Sequence, residues 1–343
     1  DLHLLSRRQR QMCIRDRLVL LLVVTLFSCI REDRESCEDE EINVRFDYSY
    51  NILSSNAFAE QVNVVTLYVF DQTGTLVRKQ TSGDGELTND YTMNIRDLKI
   101  GKYKFAVWAK SKGNETDFQI PDLTVNTSVL DDLDYCVKRN SGIQNKEMGN
   151  LLIGAVDVEL TGKLDQTIHI PLKKINNKIR IVLLPSAANE KLDINSYIIE
   201  IVDRIGNGYL KYDYSILPDE PISYRPYYAA NITPKPSETL NPNELQSAAV
   251  AEINTSRILV RTQETDNIRL RIISKETGEE IVSVNLPWFF SLTEMESHKS
   301  WSLQEYLDRQ DEYSITLFLH QDTWMQATII INGWVINNVI VDM

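Results

Sequence analysis

The stretch VNVVTLYVF, residues 62–70, decides the fold class of this chain. It is built from β-branched and aromatic residues, which favour strands over helices. The turn sequence DQTG follows directly, and TLVRK comes after it. This order predicts a β-hairpin in which Gly74 occupies the turn position that requires a positive φ.

Short strand patterns recur on both sides of this hairpin. Ile42 to Tyr48, INVRFDY, alternates apolar and polar residues, as a half-buried strand does. A second series begins with KIRIVLL at Lys178 and continues to the C-terminus. Many short strands separated by glycine turns favour β-sandwiches over βαβ units. We therefore expect an all-β fold of two sandwich domains, residues 42–174 and residues 175–343.

Segments without strand patterns are few. Ser302 begins a capping-box pattern that ends at Glu305, so LQEYLDR is predicted to form one or two helical turns. Val125 to Asn150 has a mixed character, and Pro218 to Pro242 is rich in proline. We expect both stretches to be loops.

Composition excludes some classes of partner. The chain has 343 residues, of which 43% are hydrophobic, so it can build cores for two domains. Its formal net charge is −13. A chain of this charge lacks the basic footprint of a nucleic-acid-binding protein, and no nucleic acid is expected among its partners.

The N-terminal 28 residues predict a signal peptide. Leu18 to Phe27 is an apolar run of ten, shorter than the stretch of about 20 residues that spans a bilayer. Arg15 and Arg17 provide the positive flank of such a signal. The preceding DLHLLSRRQRQMCIRD is unlike any signal peptide, so we interpret it as an artefactual extension. Residues 1–28 are therefore left out of the fold.

The apolar run ends in LFSC, which resembles the processing site of bacterial lipoproteins, with lipid carried on Cys29. The alternative is an ordinary secretory signal with an incidental cysteine. Residues 29–41 follow as a strongly acidic stretch, which reads either as a solvated tether or as an export tag for the outer leaflet. The predicted location is the cell outer membrane, on the exposed side, through a lipid anchor.

Two further cysteines, Cys37 and Cys136, follow Cys29. An exported protein meets an oxidising compartment, so a disulfide between them is allowed. Such a bridge would attach the tether to the first domain. The alternative is two free thiols.

Sequence patterns of catalysis are not found in the chain. No metal-ligand spacing, nucleophile elbow, phosphate-binding loop or dinucleotide fingerprint occurs. We therefore expect no enzyme, no cofactor, no metal and no small-molecule substrate. Tyr224 to Tyr228, YRPYY, is an aromatic cluster that either stacks on a sugar or peptide or packs as a turn.

Four blocks of the sequence resemble the FimB-type fimbrial anchor lipoproteins of type V pili. They span Phe58 to Val77, Leu98 to Ala109, Ile168 to Leu183, and Gln304 to Leu319. The last block, QEYLDRQDEYSITLFL, is the most specific, and IIINGWVINNVIV follows it near the C-terminus. With the acidic tether, the resemblance extends from Cys29 to the end of the chain.

The resemblance implies two tandem transthyretin-like Greek-key sandwiches and a role at the base of a pilus. Its partner would be the major fimbrial pilin subunit, joined by exchange of a strand between subunits. Our hypothesis is that residues 327–341 couple the protein to the first stalk subunit. The inserted apolar side chains would be Ile329, Ile331, Val335, Val339 and Val341. Alternatively, these strands complete the chain's own sheet.

Two other functions remain open on the sequence. The first is a surface lipoprotein that binds glycans, for which several aromatic residues should be exposed on one face. The second is an accessory or tip pilin of the same superfamily, in which we would expect a long insertion or a third domain.

Overall fold

The computed structural model describes residues 41–83, 85–111, 117–162, 166–185, 192–232, 247–320, 323–331 and 334–340, with side chains up to Leu319. Its strands are β1 (Ile42–Asp47), β2 (Val64–Asp71), β3 (Leu76–Thr81), β4 (Thr92–Ile95), β5 (Gly101–Lys110), β6 (Phe118–Gln119), β7 (Asp134–Val137), β8 (Ile143–Gln144), β9 (Leu151–Leu160), β10 (Gln166–Pro171), β11 (Lys173–Lys174), β12 (Asn176–Pro185), β13 (Tyr197–Asp203), β14 (Tyr209–Lys211), β15 (Ile222–Tyr224), β16 (Tyr228–Ile232), β17 (Ala248–Ser256), β18 (Arg269–Ser274), β19 (Glu280–Asn285), β20 (Glu312–His320), β21 (Thr323–Ile331) and β22 (Trp334–Ile340). The α-helices are α1 (Phe58–Gln61), α2 (Leu286–Ser291) and α3 (Leu303–Arg309).

Two sheets form the first sandwich. One has the order β10-β1-β4 and the other has the order β11-β9-β5-β2-β3. Val44 and Phe46 of β1 point into the core between the sheets, as the alternation in this segment predicts. The strand β1 runs parallel to β10 and antiparallel to β4. The first sandwich therefore closes with strands from both ends of its sequence.

The apolar run that decides the fold class is buried on both faces. Val65, Leu67 and Val69 of β2 lie in the core of the first sandwich. Tyr68 and Phe70 lie on the opposite face, in the core shared with the second half of the chain. A strand covered on both sides needs apolar residues at every position, which explains why this run shows no alternation.

The turn between β2 and β3 has the predicted form. Gly74 adopts φ +81°, and the backbone N–H groups of Thr73 and Thr75 donate to Oδ1 of Asp71 at 2.9 and 3.0 Å. The hairpin prediction is confirmed, because the aspartate holds the turn and the glycine supplies its left-handed residue.

The second sandwich consists of a large six-stranded sheet, in the order β16-β17-β12-β20-β21-β22, and a five-stranded sheet, in the order β19-β18-β13-β15-β8. Ile179, Ile181 and Leu183 of β12 are fully buried between them. Their period of two is that of KIRIVLL in the sequence. The prediction of an all-β fold is confirmed, whereas the Greek-key topology stays a prediction.

A segment predicted to be a loop joins the two halves. Within Val125 to Asn150, β7 pairs with β14, and β8 pairs with β15 of the second sandwich. Tyr135 of β7 is fully buried and packs on Trp108 with ring centroids 5.9 Å apart. The loop prediction is wrong here. The short β6 pairs with β7 from nearby in sequence, but β14 pairs with it from far along the chain, at Tyr209 for Cys136.

The second predicted loop also contains strands, since β15 and β16 lie within Pro218 to Pro242. The short helix after Ser302 is confirmed: the Ser302 hydroxyl accepts from the Glu305 N–H at 3.1 Å. The domain boundary between residues 174 and 175 stays a prediction. Residues 1–28 and all but Glu41 of the tether 29–41 lie outside the described residues.

Candidate functional site

The C-terminal hairpin, formed by β21 and β22, is the first candidate site. Strand β20 lies parallel to β12 near the middle of the large sheet, and β21 and β22 follow it as antiparallel neighbours. Among the described strands, β22 is the last in the order of this sheet. An edge strand presents backbone N–H and C=O groups that a strand from another subunit can pair with.

Backbone register places four of the five predicted partner-binding residues in the C-terminal hairpin, and Val341 lies outside the described residues. The pairs are Ile329 with Ile315, Ile331 with Trp334, Val335 with Ile330, and Val339 with Ala327. All four positions pair within the chain's own sheet. Their role in partner binding stays a prediction.

The hairpin positions fall into two different rows of the sheet. Ile329 lies in the row of Ile315 and Ile181, both of which are fully buried. Val335 lies opposite Ile330, which is in the row of Ser314. A bulge between Ile329 and Ile330 shifts the pairing with β22. Because rows alternate between the two faces of a sheet, these residues would not all enter one groove in this register.

The junction between the sandwiches is the second notable site, and it contains the most specific block of the sequence. Nε and Nη2 of Arg257 donate to the two carboxylate oxygens of Asp308 in helix α3 at 2.7 and 2.6 Å. The exposed fractions of these side chains are 16% and 6%. Burial lowers the pKa of Arg257, but the hydrogen bonds and charge of Asp308 outweigh burial and raise it.

Strand β11 supplies the other half of the junction. Lys174, which is 3% exposed, forms an ion pair with Asp311 just after helix α3. The neighbouring Lys173 lies over the ring of Tyr50 at 4.4 Å and over that of Tyr214 at 4.7 Å. These distances are those of cation–π contacts.

Arg309 completes the stack from the second sandwich. Its guanidinium lies 4.1 Å from the ring centroid of Tyr50 and 4.5 Å from that of Trp301. The ring of Tyr50 is thus in contact with cations from both β11 and α3. In the sequence this block stands out as a family pattern but its role is not visible, because Asp308, Arg309 and Asp311 resemble a solvated face.

The described residues include only one of the three cysteines for which a role is predicted. Cys29 and Cys37 lie outside the described residues. Cys136 lies in β7, half-buried, and is a free thiol in the described part of the chain. Burial raises its pKa, which reduces the thiolate fraction at neutral pH. The predicted Cys37–Cys136 disulfide stays a prediction.

The described residues offer neither a ligand cluster for a metal ion nor a helix that could span a membrane. They contain no group of three or more His, Cys, Asp or Glu side chains placed to hold a metal ion. They also contain no helix of the length and apolarity needed to cross a bilayer. His298 is buried and stacks on Trp301 with ring centroids 4.4 Å apart, so its ring has a packing role.

The first and last tyrosines of the cluster YRPYY differ in burial, and each fits one of the two interpretations of the sequence. Tyr224 is fully buried in β15 and donates to Oδ1 of Asn207 at 2.6 Å. Tyr227 donates to Oε2 of Glu252 at 2.6 Å. Tyr228, at the start of β16, is 47% exposed. The first tyrosine packs in the core, and the last is accessible to a ligand.

Comparisons with known proteins agree with this architecture. Residues 34–339 match the family of fimbrillin-A associated anchor proteins Mfa1 and Mfa2. A Bacteroides thetaiotaomicron structure described as a candidate polysaccharide-binding protein is 32% identical, with 89% of this chain and 99% of that chain covered and a TM-score of 0.70. A candidate adhesin from the same organism is 26% identical, with 88% and 100% covered and a TM-score of 0.74.

The fimbrial anchor protein Mfa2 from Porphyromonas gingivalis shares the fold, with 18% identity, a TM-score of 0.59 and coverage of 88% of this chain and 100% of that chain. No curated protein sequence matches the chain. The family match covers both sandwiches, the junction and nearly all of the C-terminal hairpin. The chain therefore belongs to the family of fimbrillin-A associated anchor proteins Mfa1 and Mfa2.

Proposed function

We propose that this protein is an outer-membrane lipoprotein, carried on Cys29, that anchors a fimbria at its base. In this proposal the protein joins the first stalk subunit by strand complementation and so limits the length of the fimbria. Membership of the anchor family supports a fimbrial role. The processing-site pattern LFSC and the acidic tether support export and lipid attachment.

The observation that carries the proposal is the position of the C-terminal hairpin at the edge of the large sheet. Strand complementation needs either a strand that leaves its own sheet or an edge that receives one. Strands β21 and β22 are the last two strands of the order, so their exchange would leave β12, β17 and β20 paired with one another. The core of the second sandwich would thereby keep its central strands.

The first experiment removes β22 alone, by deletion of residues 332–343, and then the larger part of the hairpin, by deletion of residues 327–343. We expect both variants to stay folded and to release fimbriae into the medium. Anchored fimbriae are counted by electron microscopy, and shed fimbriae are measured in culture supernatant. A matched control is Ala229→Lys in β16, which changes the opposite edge of the same sheet and should leave attachment intact.

Normal attachment with a folded deletion variant would rule out a role for the hairpin in coupling. Equal loss of attachment in Ala229→Lys would point to general damage of the sheet. Fimbriae longer than those of the wild type, still attached, would separate control of length from anchoring.

The lipid anchor is tested separately. We expect the N-terminal peptide of protein isolated from outer membranes to begin at Cys29 with a diacylglycerol on its thiol, and a pilin to be recovered with it. The Cys29→Ser variant should leave the membrane fraction. If the mature chain began at another residue and Cys29 were unmodified, the lipoprotein assignment would be refuted. The proposal of strand complementation would not be affected.

A further inference from the structure

The outer face of the large sheet carries a groove that the anchoring role does not use. Its floor lies on β16, β17 and β12, where Tyr228, Glu252 and Arg180 form one row across the three strands. The next row consists of Ala230, Val250 and Val182. The groove has a volume of about 580 Å³ and lies between these rows and the exposed Ile232.

A second groove continues the first toward the junction. It has a volume of about 420 Å³ and shares Glu147 and Tyr227 with the first. Its other lining residues include Lys178 and Asn254 of the sheet and Asn150 of the first sandwich. The two grooves form an elongated path across both halves of the molecule, which suits a chain-like ligand better than a compact one.

The charges along this path balance. The lining residues of the two grooves include three acids and three bases: Glu147, Glu252, Glu312, Lys174, Lys178 and Arg180. A path without net charge does not attract nucleic acids or other polyanions, and it does not attract basic peptides. It favours a neutral polymer that offers many hydroxyl groups.

The polar groups in the path are held in place before any ligand arrives. Oε1 of Glu252 accepts from Nε of Arg180 at 2.9 Å, and Nη2 of the same guanidinium donates to this oxygen as well. Oε2 accepts from the Tyr227 hydroxyl at 2.6 Å and lies 3.4 Å from Nζ of Lys178. Such fixed planar groups bind vicinal hydroxyls with little loss of side-chain entropy.

The apolar groups lie directly beside this network. Tyr228 is 47% exposed and Ile232 is 44% exposed, and both line the groove with Val182 and Val250. An exposed aromatic ring packs well on the C–H face of a pyranose, while neighbouring planar charged groups bind its hydroxyls. We infer that this groove is a binding site for a neutral polysaccharide, with Tyr228 as its stacking platform and Arg180 and Glu252 as its polar edge.

Affinity gel electrophoresis of the mature chain tests the inference with dextran, mannan, xylan, galactan and β-glucan as neutral probes and alginate as the anionic probe. We expect at least one neutral polymer to slow the protein. Tyr228→Ala should weaken the affinity ~10-fold, whereas Tyr228→Phe keeps the ring and should bind like the wild type. Trp288→Ala, at an aromatic residue that is 50% exposed and outside the groove, is the matched control.

The inference is overturned if none of the neutral polymers slows the protein, if alginate alone does so, or if Tyr228→Ala binds as tightly as the wild type. Unchanged urea midpoints of the variants would show that lost binding is not lost folding. Attachment of fimbriae in Tyr228→Ala should be normal, because the groove lies away from the C-terminal hairpin at β22. Failure of this proposal is therefore distinguishable from failure of the anchoring role.

Discussion

At the junction, Asp308 and Lys174 are 6% and 3% exposed, and each is in an ion pair. At the β16 edge of the large sheet, by contrast, four of the five residues are exposed. The family's most specific sequence block thus supplies the junction and not an edge. Charge is buried where the two sandwiches must keep a fixed relation, whereas the β16 edge is accessible to solvent.

This difference indicates separate roles for the junction and for the edge strands. In the proposed anchoring role, the first sandwich must keep a fixed position relative to the last strands of the second. The buried Lys174–Asp311 pair joins the two halves, and the buried Arg257–Asp308 pair holds helix α3 in place beside it within the second half. Removal of one partner of either pair leaves an unpaired buried charge. Edge strands contribute less to the core and can exchange their partners.

The largest effect is expected from Asp308→Ala. This change leaves Arg257 buried without its carboxylate and should reduce the free energy of unfolding by about 3–5 kcal/mol. Urea unfolding followed by tryptophan fluorescence measures the loss. The matched control is Glu305→Ala in the same helix, whose partly exposed i,i+4 pair with Arg309 contributes about 0.3–0.5 kcal/mol. Equal losses in the two variants would contradict the proposed importance of the junction.

The next prediction concerns alkaline pH. Burial raises the pKa of Tyr214, at the junction, well above 10, and the charge of Asp308 adds to the effect. Above pH 10 the unfolded chain loses the phenol proton while the folded chain keeps it, so stability falls as pH rises. The loss from this residue is about 1.4 kcal/mol per pH unit.

Tyr214→Phe removes this titration. We expect the urea midpoint of the variant to fall less steeply than that of the wild type between pH 9.5 and 11. Among the described residues the buried hydroxyl of Tyr214 has no hydrogen-bond partner, so the variant should also be no less stable at pH 7. Parallel pH profiles for the two proteins would show that Tyr214 ionises as freely in the folded state as in the unfolded one.

Local features of the fold could be predicted from the sequence. The hairpin at Gly74 and the helix cap at Ser302 depend on residues within a few positions of each other. The connection between the sandwiches could not be predicted, because β14 and β15 pair with β7 and β8 from more than seventy residues along the chain. No local periodicity records such a pairing, so the segment looked like a loop.

In the candidate sites, too, some features are visible in the sequence and others depend on pairing between distant strands. The hydrophobic pattern of the C-terminal hairpin was visible, but the bulge after Ile329 and its row assignment depend on register. The cluster YRPYY was visible too, yet only the fold separates the buried Tyr224 from the exposed Tyr228. Sequence identified the residues in both cases, whereas pairing between distant strands decides which face each residue occupies.

The smallest effect is expected at the β16 edge. Ala229 is exposed, so Ala229→Lys adds a solvated charge without burying it and should change the free energy of unfolding by less than about 0.5 kcal/mol. The loss of unfolding free energy expected for Asp308→Ala is then about ten times the change expected for Ala229→Lys, although each variant alters a single side chain. A loss above about 1.5 kcal/mol would mean that the edge is part of the core and is covered in the folded protein. In that case the β16 edge would be closed within its own sandwich, and Ala229→Lys would not serve as a neutral control for attachment.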